Sequence, residues 1–234
     1  MIHNIELVNF RGIAQMSLTL TQKTTALLGV NGVGKSSVLD ALAIALSNMT
    51  ERIVGQGAKA RDISPDDIKS GMPFARIQVT ADLGTAMPVT WAIARNKKAA
   101  KHAPDRSSDF EALRAHTDLL RGRMMHRELE GRPISLPLAV YYDVHRAVLD
   151  VPLRVHKKLQ NTPGEAYHDA LGHGGTDFRG FFNWFRDRED TENEAIRDDS
   201  KYRDRDLKAV RQAIESFTGF TLSLIHISEP TRPY

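Results

Sequence analysis

The sequence Gly29-Val30-Asn31-Gly32-Val33-Gly34-Lys35-Ser36 fills every fixed position of the phosphate-binding pattern G-x-x-x-x-G-K-[ST]. Before it, residues 25–28 form a short apolar run that predicts a buried strand. After it, an amphipathic pattern from Ser37 onward predicts a helix. A strand, a glycine-rich loop and a helix in this order are the setting that the pattern requires. The stretch therefore predicts an α/β fold built around a phosphate loop.

Each part of this loop has its own role in holding a nucleotide. The glycines let successive backbone N–H groups point at a β-phosphate, where the helix N-terminus adds a partial positive charge. The Lys35 ammonium reaches the β- and γ-phosphate oxygens, which makes Lys35 the candidate catalytic residue, and the Ser36 hydroxyl is the candidate Mg²⁺ ligand. A chance glycine-rich turn is the alternative, and the flanking strand and helix disfavour it. The candidate nucleotide-binding residues are Gly29, Asn31, Gly32, Val33, Gly34, Lys35, Ser36 and Ser37.

The composition limits the classes of protein that the chain can belong to. With 234 residues, of which 41% are hydrophobic, the chain can bury a core as one large domain or as one domain with an inserted arm. A net charge of +3 gives only a weak attraction to polyanions, and the absence of cysteine excludes disulfides and thiolate metal sites. No apolar run reaches the roughly 18 to 20 residues of a membrane span, and no signal-peptide core is present. We therefore expect a cytoplasmic protein.

Alternating apolar residues predict antiparallel strands on both sides of the loop. Residues 2–10 place Ile5 and Leu7 on one face, and residues 16–20 repeat this pattern after a turn. Residues 75–83 and 89–93 alternate in the same way, which predicts a hairpin with one buried face. We therefore expect an antiparallel β-subdomain beside the loop.

The spacing of apolar residues also predicts four helices. The helix after the loop buries Val38 and Leu42, and Ser108 or Asp109 caps a second helix that runs to about residue 129. Dense alternation of acids and bases in residues 187–211 predicts exposed helices with many ion pairs. The third and fourth helices are predicted to bury two stripes, Phe178, Phe181, Phe182 and Phe185 in one, and Leu207, Val210, Ile214 and Phe217 in the other.

The loop and several later segments resemble one branch of the ABC-type ATPases. Asn31-Gly32-Val33-Gly34-Lys35-Ser36-Ser37 is similar to the N-G-x-G-K-S-[ST] loop of the SMC, RecF and OLD-like ATPases. The turn Asn9-Phe10-Arg11 resembles the turn that ends their first strand, which implies that Arg11 lies near the bound nucleotide; an exposed turn arginine is the alternative. Residues 140–146 and 177–185 resemble segments of OLD-like defence ATPases. The resemblance covers about residues 1–221.

This resemblance implies a fold and a division of the chain. The fold is an α/β P-loop NTPase of the ABC/SMC type, with a mixed sheet, an antiparallel β-subdomain and an inserted helical arm. Residues 1–146 are the expected ATP-binding lobe and residues 147–221 a partial helical arm. Residues 222–234 resemble translated adapter sequence, so we expect a non-native tail on a truncated reading frame.

The resemblance also implies an activity and partners. The intact protein is expected to bind ATP and Mg²⁺, to form a homodimer and to act on DNA or on a defence effector. The chain contains no L-S-x-G-[EQ] signature and no apolar strand that ends in Asp-Glu. Because the groups that polarise water are missing, this chain alone is expected to bind nucleotide weakly and to hydrolyse it poorly.

Two other functions remain open at this point. The apolar run 137–142 ends at Asp143, which as a Walker B residue would make the chain a complete small phosphotransferase. Val144, His145 and Arg146 follow it in place of the usual catalytic glutamate, which disfavours this interpretation. The other alternative is a binding module in which the nucleotide orders the fold and is not hydrolysed.

Overall fold

The computed structural model describes residues 1–20, 24–55, 60–84, 87–97, 106–130, 136–142, 167, 170–171 and 178–218. The chain forms two compact units, one of Met1–Ala147 with Asn161–Thr176 and the other of Val148–Gln160 with Asp177–Tyr234. Asp143, the segment 172–177 and the tail 222–234 lie outside the described residues, together with the predictions made for them.

The first unit is built on a four-stranded antiparallel sheet. Leu7 lies opposite Met16 on one side and Ile77 on the other, so the apolar residues of neighbouring strands share a face. Ile5 and Leu7 are fully buried, as their alternation predicts. The predicted hairpin of residues 75–83 and 89–93 is confirmed, because Phe74–Ala81 pairs antiparallel with Val89–Asn96. The strands are β1 (Ile2–Phe10), β2 (Ile13–Thr19), β3 (Phe74–Ala81) and β4 (Val89–Asn96), in the order β2-β1-β3-β4.

Two helices pack with this sheet to form the core. They are α1 (Lys35–Val54), which follows the phosphate loop, and α2 (Glu111–Leu129). Val38 is buried as predicted, whereas Leu42 is only half-buried. The indole Nε1 of Trp91 on β4 donates a hydrogen bond of 3.1 Å to the backbone carbonyl of Ala45. This bond joins the P-loop helix directly to the sheet. A short 3₁₀ turn, Pro65–Asp67, lies between α1 and β3.

The prediction of a buried strand at residues 25–28 is wrong. These residues form no strand, and Leu28 is 91% exposed. A strand is stable only when its backbone pairs with a neighbour. Within the described part of the chain, no residue makes a backbone hydrogen bond with residues 24–28. The predicted helix is real, but it begins at Lys35, two residues before the predicted start.

In the second unit, the described residues form the two helices α3 (Phe178–Asp198) and α4 (Arg205–Thr218). Arg211 reaches Glu189 at 2.7 Å and Glu192 at 2.8 Å, and Arg188 reaches Asp204 at 3.0 Å. These ion pairs confirm that part of the prediction made from the alternation of charge, but the carboxylates of Glu189, Glu192 and Asp204 are buried and not exposed. Of the helices in the described ranges, none is long and apolar enough to cross a membrane.

The two apolar stripes predicted for this unit are only partly correct. Phe185 and Leu207 are buried, but Phe181 is 39% exposed and Phe217 is 93% exposed. Phe217 follows Leu207 by ten residues, which places it about 80° around the helix from the buried side. It also stands in the last turn of α4. The side chains of Phe178 and Phe182 are outside the described part of the structure.

The burial of His116 on α2 should make the free energy of unfolding depend on pH. The residue is 7% exposed, and neither ring nitrogen has a hydrogen-bond partner among the described residues. Burial lowers the pKa of His116 below its ordinary value of 6.5, and the positive charge of Arg123 lowers it further. Below pH 6.5 the unfolded chain therefore binds more protons than the folded chain, so the free energy of unfolding decreases as the pH falls.

We expect urea unfolding between pH 7.5 and 5.5 to show this loss of stability, and His116→Leu to reduce it. His126→Leu is the control, because the His126 side chain is 73% exposed. If the wild type and His116→Leu lose stability equally over this range, the burial of the ring is not the cause.

Candidate functional site

The phosphate loop of the structure depends on glycine backbone conformations. Gly32 has φ 83° and Gly34 has φ 103°, in a region that side-chain-bearing residues rarely adopt. Gly34 is the N-cap of α1, so the chain turns from the loop into the helix at this residue. Gly34, at a fixed position of the pattern, and Gly32, at a variable one, are therefore used for their conformational freedom.

Lys35 closes the loop on itself. Its Nζ donates hydrogen bonds to the backbone carbonyls of Gly29, at 2.6 Å, and Val30, at 2.8 Å. These bonds hold the start of the loop against the first residue of α1. An ammonium has three donors, so one N–H remains after these two bonds. The arrangement fixes a positive charge at the loop.

The N-terminus of α1 is open to an anion. The first N–H groups of a helix have no acceptor within the helix, and most helices use a side-chain cap to satisfy one of them. In α1 no side chain caps the N-terminus, and the first turn contains no acidic residue. The Ser36 hydroxyl is exposed and forms no hydrogen bond with another described residue. Free N–H groups and an ammonium donate hydrogen bonds to phosphate oxygens, and a free hydroxyl oxygen can ligate Mg²⁺. The site therefore has the groups that bind a Mg²⁺-bound triphosphate.

Gly34→Ala is a direct test of the loop geometry. An alanine Cβ would lie 3.4 Å from Cδ1 of Ile13, and φ of 103° strains any L side chain. We expect a loss of about 1–2 kcal/mol in the free energy of unfolding, and at least roughly 10-fold weaker nucleotide binding because the loop N–H groups shift. Gly12→Ala is the matched control, since its Cβ would meet nothing within 4 Å. Equal effects of the two variants would contradict the role assigned to Gly34.

Arg11 lies in the turn between β1 and β2, next to the loop. Its backbone has φ 50°, and its N–H donates to the carbonyl of Asp67 at 2.6 Å. Its Nε donates to Oδ1 of Asp67 at 2.8 Å, and its Nη1 donates to Oδ2 of Asp40 at 2.7 Å. Ile13, two residues later, is the side chain closest to the position that a Cβ on Gly34 would occupy. Arg11 is therefore an arginine anchored to α1 through Asp40 and not a free turn residue.

The ion-pair network around Arg11 contains three residues that the sequence analysis did not single out, namely Asp40, Arg61 and Asp67. Asp40 on α1 is 8% exposed, and its second oxygen accepts a hydrogen bond of 2.8 Å from Nη2 of Arg61. Asp67 also bonds the backbone N–H of Ser64, and the two residues form a capping box. The pattern Ser64-Pro65-Asp66-Asp67 is a readable signal of that box. An acidic residue between the buried positions Val38 and Ala41 is the corresponding signal for Asp40.

The charges of this network stabilise one another. Burial alone would raise the pKa of Asp40, but hydrogen bonds from Arg61 and Arg11 and their positive charges lower it. Burial would also raise the pKa of Asp67, but bonds from Arg11 and Ser64 lower it. For Arg11, burial acts to lower the pKa, and the bonds to both carboxylates raise it above its usual value. Both carboxylates are therefore ionised at neutral pH.

Comparison with known proteins identifies the family. Residues 4–219 match the family model that is described as an AAA domain. The chain belongs to the AAA domain family. The α/β fold predicted from the loop is confirmed, and the ATPase family expected from the resemblance is confirmed at the level of this AAA domain.

Two curated relatives of this AAA domain chain are retron proteins. It is 25% identical over 212 residues to the Retron Vc95 probable ATPase of Vibrio cholerae serotype O1 biovar El Tor, which covers 85% of the chain. It is 26% identical over 224 residues to the Retron Ec83 probable ATPase of Escherichia coli, which covers 88% of the chain. The matched part is 39% of the length of each relative, so the chain spans about two fifths of these proteins.

One solved structure is also similar to part of the chain. It comes from work on the structural biochemistry of ATP-driven dimerization and DNA-stimulated activation of SMC ATPases. The likeness covers 46% of this chain and 66% of the solved chain, at 21% sequence identity and a TM-score of 0.33.

Proposed function

We propose that this AAA domain chain binds ATP through residues 29–36, and that the intact protein hydrolyses ATP. The proposal rests on the hydrogen bonds of Lys35 in the loop and on the uncapped N-terminus of α1. Lys35 is already fixed on the loop carbonyls, and the N-terminus of α1 has neither a side-chain cap nor an acidic residue. A phosphate chain supplies the anionic oxygens that these donors lack.

Within this site each residue has a proposed role. Lys35 binds the β- and γ-phosphates, and the backbone N–H groups from Asn31 to Ser37 surround the β-phosphate. The exposed Ser36 hydroxyl would hold Mg²⁺, which when bound bridges phosphate oxygens and neutralises their charge. Gly29 and Val33 shape the loop, since a Cβ at Gly29 would lie 3.0 Å from the Val33 side chain. Arg11 is proposed as a further contact of the nucleotide.

The setting of this activity is proposed from the relatives. Both are named as probable ATPases of retrons, which supports an action of the intact protein on DNA or on a defence effector. We propose that it works in the cytoplasm. We propose that residues 1–146 form the ATP-binding lobe and residues 147–221 part of a helical arm. The intact protein is proposed to work as a homodimer.

Equilibrium binding to the purified chain tests the proposal. We expect saturable binding of a fluorescent ATP analogue in the presence of Mg²⁺, with displacement by ATP and ADP and none by adenosine, because the loop recognises phosphates. Binding that adenosine displaces as well as ATP does would contradict a phosphate site. Multiple turnovers of ATP by this chain alone would favour the phosphotransferase alternative.

A further inference from the structure

We infer that Asp40 is the positioning residue that holds Arg11 in place for the triphosphate. The inference rests on the proposed ATP site and assigns a function to a buried carboxylate outside the phosphate loop. The supporting observation is a row of four side chains of alternating charge. In the order Arg61, Asp40, Arg11 and Asp67, each side chain is joined to the next by a hydrogen bond of 2.7 or 2.8 Å.

The position of Asp40 on α1 links the two cations of the site. Asp40 follows Lys35 by five residues, which is a rise of about 7.5 Å along the helix. Lys35 and Asp40 belong to the same continuous helix, so their separation is fixed. By bonding Arg11, Asp40 ties the guanidinium to the element that carries the P-loop lysine. Two positive groups from distant parts of the sequence are thereby held at a set distance from each other.

The carboxylate of Asp40 is itself fixed in orientation. Oδ1 accepts from Arg61 and Oδ2 accepts from Arg11, so both oxygens are engaged. The backbone of Arg61 is held in turn by α1, because its N–H donates to Oγ of Ser47 at 2.8 Å and its carbonyl accepts from Asn48 at 3.0 Å. A residue supported in this way restricts the rotation of its partner, which is how positioning residues act on binding groups.

Arg11 keeps donors for a ligand while it is held. A guanidinium has five N–H donors, and Arg11 gives Nε to Asp67 and Nη1 to Asp40. Its Nη2 bonds to no described residue, and the side chain is 31% exposed. The backbone φ values of Asn9 and Arg11, 51° and 50°, are unusual for residues other than glycine. The turn therefore adopts a strained conformation that brings this arginine to the carboxylates.

A purely structural role for the network is the competing explanation. Buried ion pairs are weak evidence for stability, because desolvation offsets much of their attraction. The two explanations differ in one respect. If Asp40 acts through Arg11, its removal matters for nucleotide binding only while Arg11 is present.

A double-mutant cycle on ATP binding tests the inference. We expect Arg11→Ala and Asp40→Asn each to raise the Kd for Mg-ATP about 10-fold, the effect of losing or misplacing one charge-assisted bond. The double variant should be no weaker than either single variant by more than about 2-fold, because the second change acts on a contact already lost. Asp66→Asn is the matched control, since Asp66 is exposed one residue from Asp67, and it should bind ATP as the wild type does.

Each contrary outcome identifies what has failed. Additive effects in the double variant, or a wild-type Kd for Asp40→Asn or for Arg11→Ala, would overturn the positioning role. If Asp40→Asn does not fold, Asp40→Glu keeps the charge and moves the oxygens; a wild-type Kd for that variant would overturn the inference, and weaker binding that vanishes in the Arg11→Ala background supports it. If Lys35→Ala binds Mg-ATP normally, the proposed ATP site itself is wrong.

Discussion

Replacing Lys35 by alanine is expected to raise the Kd for ATP by at least about 100-fold, which corresponds to about 2.7 kcal/mol. The change removes the ammonium that lies at the loop and the two hydrogen bonds that close the loop onto Gly29 and Val30. Hydrogen bonds to charged groups contribute about 1.5–3 kcal/mol each, and the loss of loop closure adds an ordering penalty on binding. Titration of a fluorescent ATP analogue measures the effect directly.

Lys208→Ala is the matched control for this experiment. Lys208 is an exposed lysine of α4, so its removal changes the net charge equally and leaves the loop sequence unchanged. We expect its Kd to stay within about 2-fold of the wild type, because salt screens exposed charges. Similar losses in both variants would mean that the affinity reflects overall charge and not the loop.

Local patterns in the sequence account for most of the fold. Strict alternation around Ile5 and Ile77 predicts which faces of the strands are buried, because the side-chain period of a strand is two. Leu113 and Thr117, four residues apart on α2, are both buried, as the helical period requires of one face. The glycines of the loop indicate its backbone, since Gly32 and Gly34 lie where φ is positive.

Contacts between distant residues were beyond this kind of prediction. Arg11 is separated by 29 residues from Asp40 and by 56 from Asp67, and no periodic pattern connects such positions. The prediction of a strand at residues 25–28 was wrong for a related reason. Apolar composition predicts a strand, but pairing with another strand decides whether it forms. The candidate site therefore has two parts. The phosphate loop is one continuous segment that the sequence reveals, whereas the carboxylates that hold Arg11 come from distant positions that it does not.

The largest effect on stability is expected at Trp91. Trp91→Ala should lower the free energy of unfolding by about 3–5 kcal/mol, because the side chain is 1% exposed and belongs to the core under α1. Trp91→Phe keeps most of the volume and removes the hydrogen bond to Ala45, so a smaller loss of about 1–2 kcal/mol is expected. Urea unfolding monitored by circular dichroism measures both.

Thr90→Ala on the same strand is the control. Thr90 is exposed and its hydroxyl bonds the Thr80 hydroxyl at 2.9 Å, so we expect a change of about 0.5 kcal/mol or less. Ala45 follows Lys35 by ten residues, about 15 Å along the helix. Trp91→Phe should therefore lower stability and leave the Kd for ATP unchanged. If its affinity falls together with its stability, the packing of α1 on the sheet controls the geometry of the phosphate loop as well.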